Sequence, residues 1–168
     1  MNDLNTYIEK LELITFFSAF PLVYLLVQML VKDILPQKTW FSNHFKRISI
    51  TYALVSLLFL GMKMNQMIQS HYFYFNFSNL ISYLQIWAYS GVLFFIPSLA
   101  SKTKWCLVHS IPFIFLILFD IAAFFLKKVG NDLLQNEMRL HFISAILNIV
   151  VTLITTIWST VRVKFYTK

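Results

Sequence analysis

The sequence predicts an all-α fold, a polytopic membrane helix bundle with about five transmembrane helices, the N-terminus outside and the C-terminus cytoplasmic. Three observations predict it. The 168 residues are 58% hydrophobic and only 12% charged, far below the charged fraction of about a quarter in soluble domains. The apolar residues gather into runs of the length a helix needs to cross hydrocarbon. The basic residues gather in the short segments between those runs, where they act as topology signals.

Five stretches qualify as spans: Leu11–Val31, Ile48–Ile68, Leu80–Ala100, Cys106–Leu126 and Phe142–Val161. They are too long for barrel strands and lack their alternation of apolar and polar residues. No linker, internal repeat or second domain interrupts the chain, so residues 1–168 read as a single transmembrane helical domain. Pro21, Pro97 and Pro112 fall inside spans one, three and four, and each is expected to kink its helix. No cleavable signal peptide is legible at the start, and the lone Cys106 leaves the redox compartment unread.

Orientation follows from Lys and Arg. Lys32, Lys38, Lys46, Arg47, Lys102, Lys104, Arg162, Lys164 and Lys168 thread to one side, and Lys10, Lys127, Lys128 and Arg139 to the other. The richer side is the cytoplasmic one. The aromatic cluster His71–Phe77 and the tryptophans Trp40, Trp105 and Trp158 are placed to settle at opposite headgroup levels. Trp40, Phe41 and Phe45 can lie in the membrane surface while Lys38, Lys46 and Arg47 reach lipid phosphates. The net charge of +7 therefore belongs to topology and lipid contact; no basic stripe lies on a soluble face, which argues against nucleic acid as a partner.

Within the spans, polar residues recur at helical spacing. Ser49, Tyr52, Ser56, Lys63 and Gln66 form one stripe; Ser78, Ser82, Gln85 and Tyr89 a second; Ser144, Asn148, Thr152, Thr155, Thr156 and Ser159 a third. Polar groups are costly against lipid, so the stripes are expected to face other helices or a wet cavity. Lys63 and Asp120 are the only charges deep in the five spans, and each lies just over 20 Å from the inner boundary at 1.5 Å per residue. Matched depth predicts a pair, and Gln66 and Asn148 extend it into a candidate intramembrane polar cluster of Lys63, Asp120, Asn148 and Gln66. The pair can fix helix register, or it can bind an ion, a proton or a polar ligand.

Enzyme signals are weak. Glu137 and His141 stand one helical turn apart without a third metal ligand, which reads as a surface helix. His109 and Asp120 are eleven residues apart on one span, about 16 Å, too far to act on one atom. No nucleophile elbow, zinc-protease motif or phosphate loop occurs. The expectation is a non-enzyme without metal or cofactor. Tyr89-Ser90-Gly91-Val92-Leu93-Phe94-Phe95 resembles the Tyr-x-Gly segment of a five-helix membrane subunit of respiratory complex I. The match covers seven residues, lacks the rest of that family's apolar segment and assigns no family.

The expected function is a small non-catalytic subunit of a larger membrane complex, with the bilayer and other membrane subunits or copies of itself as partners. The alternative is an oligomeric ion- or proton-linked transporter or channel using the Lys63/Asp120 cluster. A membrane-acting defence, toxin or immunity protein is a further alternative. A plasma membrane or bacterial inner membrane is the expected location.

Overall fold

The computed structural model describes residues 2–29, 48–70, 80–126 and 131–166. The Lys32–Arg47 connector, the His71–Phe77 cluster, Ser78, Lys127, Lys128 and Lys168 lie outside the described residues. The elements are α1 (Asn2–Phe17), α2 (Phe20–Met29), α3 (Ile48–Ser70), α4 (Leu80–Ser90), a 3₁₀ segment (Gly91–Phe95), α5 (Pro97–Ala100), α6 (Thr103–Phe125) and α7 (Asn131–Tyr166). The fold is all-helical among the described residues. Four stretches are long and apolar enough to cross a membrane: Leu4–Met29, Ile48–Gln69, Thr103–Phe125 and Gln135–Trp158. This is the architecture of a helical membrane protein.

Two helical stretches differ from the spans expected of them. The first begins well before Leu11, because α1 is helical from Asn2 onward and carries Glu9, Lys10 and Glu12 into the bundle. It then breaks at Ser18–Ala19, just before Pro21. Pro21 has no N–H to donate to Phe17, so the backbone ladder cannot run through. The third expected span is not one helix. Its shorter apolar stretch, Leu80–Phe95, ends at Ile96, which is extended, and Pro97 starts a new short helix. Pro112, by contrast, lies inside an α6 that continues through it.

The broken third stretch packs along α3. Tyr89 stacks on Phe59 of α3 at 5.4 Å, and Phe94 meets Tyr52 at 5.6 Å. It therefore descends antiparallel to α3. At 1.5 Å per α residue and 2.0 Å per 3₁₀ residue, Leu80–Phe95 covers about 26 Å. Gly91 permits the closest approach: a Cβ there would collide with the Ser56 hydroxyl and lie 3.1 Å from Ser56 Cβ and from Tyr52 Cε1.

An aromatic core ties the elements together. Phe17 stacks on Phe113 at 4.7 Å and meets Phe59 edge-on at 5.3 Å, and Phe20 packs on Tyr52 at 4.5 Å. Each such pair adds about 0.5–1.5 kcal/mol beyond area burial. Leu58, Phe119, Leu153 and Ile154 point outward, as a lipid-facing surface requires.

Candidate intramembrane polar centre

The polar stripes turn inward. Ser49, Ser56, Ser82, Gln85, Ser144 and Asn148 are all buried. On α7 the residues Glu137, His141, Ser144 and Asn148 follow at offsets of four, three and four, so they share one helix face. That face meets α1 at its break.

The break leaves backbone groups without helical partners, and α7 supplies them. The Ala19 N–H donates to Ser144 Oγ at 3.2 Å. The Phe16 carbonyl accepts from Asn148 Nδ2 at 3.0 Å, and the same amide donates to the Ser144 carbonyl at 2.8 Å. Ser18 Oγ donates to the Ile14 carbonyl at 2.7 Å.

Immediately above the break lies a network of four ionisable side chains. The Lys10 ammonium donates to Asp120 Oδ1 at 2.7 Å and to Glu137 Oε1 at 2.8 Å. His141 Nε2 meets the other oxygen of Asp120 at 2.9 Å, and its Nδ1 meets Ser18 Oγ at 2.8 Å. Three helices thus converge on Asp120, whose side chain is 2% exposed against 23% for Lys10. Burying such charges is tolerable only when each is paired and hydrogen-bonded.

The hydrogen bonds constrain the protons. Ser18 has one hydroxyl hydrogen and gives it to Ile14, so it can only accept from His141 Nδ1. Asp120, when ionised, can only accept from Nε2. This set of bonds is complete when both ring nitrogens carry hydrogen.

A second ionic contact sits on the far side of α1. Lys63 pairs with Glu12, and Gln66 Nε2 donates to Glu12 Oε1 at 2.8 Å. The expected Lys63–Asp120 pair therefore does not form. Lys10 and Glu12 are two residues apart, about 3 Å of rise and 200° of rotation. They meet Asp120 and Lys63 on opposite faces of α1, which lies between the two residues thought to pair. Gln66 belongs to the Lys63 contact, and Asn148 to the helix break; the four expected residues are not one cluster. Glu137 and His141 are not a surface pair either, since Glu137 is buried and both bond inward.

Lys10, Glu12, Glu137 and His141 are the residues that sequence reasoning missed. A signal existed for two of them, because His141 and Glu137 continue the Ser144–Asn148 face by one and two turns.

A separate neutral cluster lies toward the other end of the bundle. Tyr52 Oη meets His109 Nδ1 at 2.7 Å, Ser90 Oγ meets His109 Nε2 at 2.8 Å, and Trp87 stacks on the imidazole at 4.5 Å. Ser90 Oγ donates to the Trp87 carbonyl at 2.7 Å, so it accepts from Nε2–H, and Tyr52 donates to Nδ1. A neutral His109 satisfies every bond. This cluster fastens the broken third stretch to α3 and α6. Among the described residues no three His, Cys, Asp or Glu side chains are grouped to hold a metal ion.

In comparisons with known proteins, no family model matches the chain, and neither curated proteins nor solved structures yield a match.

Proposed function

We propose that the chain is an ion- or proton-linked membrane transport protein whose working centre is the Lys10–Asp120–Glu137–His141 network. The observation that supports this most directly is an imidazole bonded on one side to a buried carboxylate and on the other to Ser18, at the break in the first helix. Broken helices beside buried ionisable groups are the recurrent form of ion sites in transporters. His141 joins the buried Asp120 carboxylate to Ser18, and so links the charged centre to the end of α1. The centre replaces the Lys63/Asp120 pair in this reading.

The proposal includes five crossings, with Leu80–Ala100 crossing as a broken element, an external N-terminus and a cytoplasmic C-terminus. The antiparallel run of Tyr89 and Phe94 along α3 and the distribution of Lys and Arg support it. The polar centre then lies in the outer half of the membrane.

The test is a pH jump applied to proteoliposomes on a solid-supported membrane. Wild-type protein is expected to give a charge-displacement current that Asp120→Asn and His141→Gln reduce severalfold. A wild-type trace equal to that of protein-free liposomes rejects the reading.

A second reading, a non-catalytic subunit of a larger membrane complex, draws on the shortness of the segments between the apolar runs of the sequence. Gentle-detergent extraction followed by mass spectrometry separates the two. A stable complex with other chains favours the subunit, and a homo-oligomer or monomer with the current favours the transporter.

A further inference from the structure

The break in the first helix holds a second site, distinct from the charged centre. We infer that the C-terminal end of α1, together with Asn148 of α7, binds a monovalent metal cation, with sodium as the expected ion. Binding there stands whether or not the protein transports; under the transport reading, it names the coupled ion.

The observation that carries this is a stranded oxygen. Asn148 is fully buried, and its Oδ1 has no hydrogen-bond partner among the described residues. The amide cannot be turned round to give it one. Its Nδ2 donates to the Phe16 carbonyl at 3.0 Å and to the Ser144 carbonyl at 2.8 Å, and a carbonyl could not donate to an oxygen put in that place. A buried acceptor left unpaired is costly, so Oδ1 calls for an electropositive partner. The other half of the same amide holds Phe16, which puts Oδ1 beside the last turn of α1.

That turn supplies further oxygens. The closing carbonyls of a helix point out of its C-terminal end, and the helix dipole makes that end negative. Here two of them lose their helical donors. Phe17 would bond to the N–H of residue 21, but Pro21 has none. Thr15 would bond to the Ala19 N–H, which goes to Ser144 Oγ instead. Phe16, whose carbonyl Asn148 holds, lies between them. One break thus brings released carbonyls and a stranded amide oxygen to the same end of α1.

All of these ligands are neutral, hard oxygens. They favour an alkali cation over a transition metal, which prefers nitrogen or sulfur, and over calcium, whose sites draw on carboxylates. Unwound carbonyls and half-helix C-terminal ends are sodium ligands in broken-helix transporters. Ser18, the next residue, bonds His141, so an ion held here adjoins the charged centre.

The experiment follows heat of binding and thermal unfolding of the full chain in detergent micelles. Choline chloride is exchanged for sodium chloride at constant ionic strength, with potassium and calcium chlorides as further arms. Wild type is expected to bind sodium saturably and to melt higher in sodium than in choline. Asn148→Leu should lose both effects. Pro21→Ala returns an N–H to the Phe17 carbonyl and should weaken sodium binding severalfold, although it leaves Asn148 in place. If Asn148→Leu does not fold, the wild-type and Pro21→Ala titrations decide alone. Saturable potassium binding in place of sodium keeps the monovalent site and changes only its ion. Identical behaviour in sodium, potassium and choline would overturn the inference and assign Oδ1 a water. A preference for calcium would also overturn it, as would sodium binding that either variant leaves intact. Sodium binding without a current in the pH-jump assay would keep the site and reject transport; a current with no cation binding would keep transport and reject the site.

Discussion

Lys10 and Asp120 stand 110 positions apart in the chain and 2.7 Å apart in the fold. Breaking a buried pair by removing one partner leaves a charge uncompensated, at a cost of about 3–5 kcal/mol. Lys10→Met and Asp120→Leu are each expected to lower the unfolding free energy on that scale, and the double variant to recover part of the loss. The Lys63→Met/Asp120→Leu cycle should be additive instead, because α1 separates those side chains. Strong coupling in the second cycle and none in the first would contradict the geometry.

The residues that could be read from the sequence, and those that could not, divide along a physical line. Apolar runs announce hydrocarbon crossings because lipid admits little else, so the four long helices were legible. The ends of two were drawn too short, since Glu9 and Lys10 stop an apolar run at Leu11, and Glu137 and His141 stop another at Phe142. A hydropathy pattern prices each charge as if alone; in the fold these charges offset one another across helices. Nor could a depth calculation say which helix stands between two others. Depth alone suggested Lys63 for Asp120, and only the packing of α1 corrected it. The 3₁₀ segment at Gly91 escaped for a similar reason, because the contacts it serves lie on α3.

Ser144 completes the broken first helix. Ser144→Ala removes the acceptor of the buried Ala19 N–H, and an unsatisfied buried donor costs about 1–3 kcal/mol. Hydrogen–deuterium exchange at the Ala19 amide should accelerate more than exchange at mid-α6 amides. Unchanged protection at Ala19 would show that another group takes over its N–H.

Gly91 is needed for closeness rather than for an unusual backbone. A methyl there collides with the Ser56 hydroxyl and crowds Ser56 Cβ and Tyr52 Cε1 at 3.1 Å. Gly91→Ala should destabilise by about 1–3 kcal/mol as the 3₁₀ segment shifts from α3. Ser56→Ala should offset part of that loss by removing the colliding oxygen. A double-mutant cycle of thermal unfolding in detergent reads the coupling, and zero coupling would refute the contact.

Orientation can be tested at the turn before α6. Ser101 is exposed and Cys106 is the only native cysteine. In a Cys106→Ser background, Ser101→Cys should resist a membrane-impermeant thiol reagent in intact cells and react after permeabilisation. Labelling in intact cells would reverse the proposed topology.

The last prediction separates the neutral cluster from the charged one. Tyr52 is fully buried and its hydroxyl reaches His109 Nδ1 at 2.7 Å. His109→Leu strands that hydroxyl away from water, which costs about 1–3 kcal/mol. Tyr52→Phe removes the donor together with the need for a partner, and His109 keeps Ser90 at 2.8 Å and the stack on Trp87, so its cost should be smaller, about 1 kcal/mol. The double variant should be more stable than His109→Leu alone. None of the three should move the pH-jump current of the folded protein, because every bond of this cluster is satisfied by a neutral imidazole and none reaches Lys10, Asp120, Glu137 or His141. A current lost in Tyr52→Phe at unchanged folded yield would mean that the Tyr52–His109 contact belongs to the conducting path, and that the division between a structural cluster and a working centre is drawn in the wrong place.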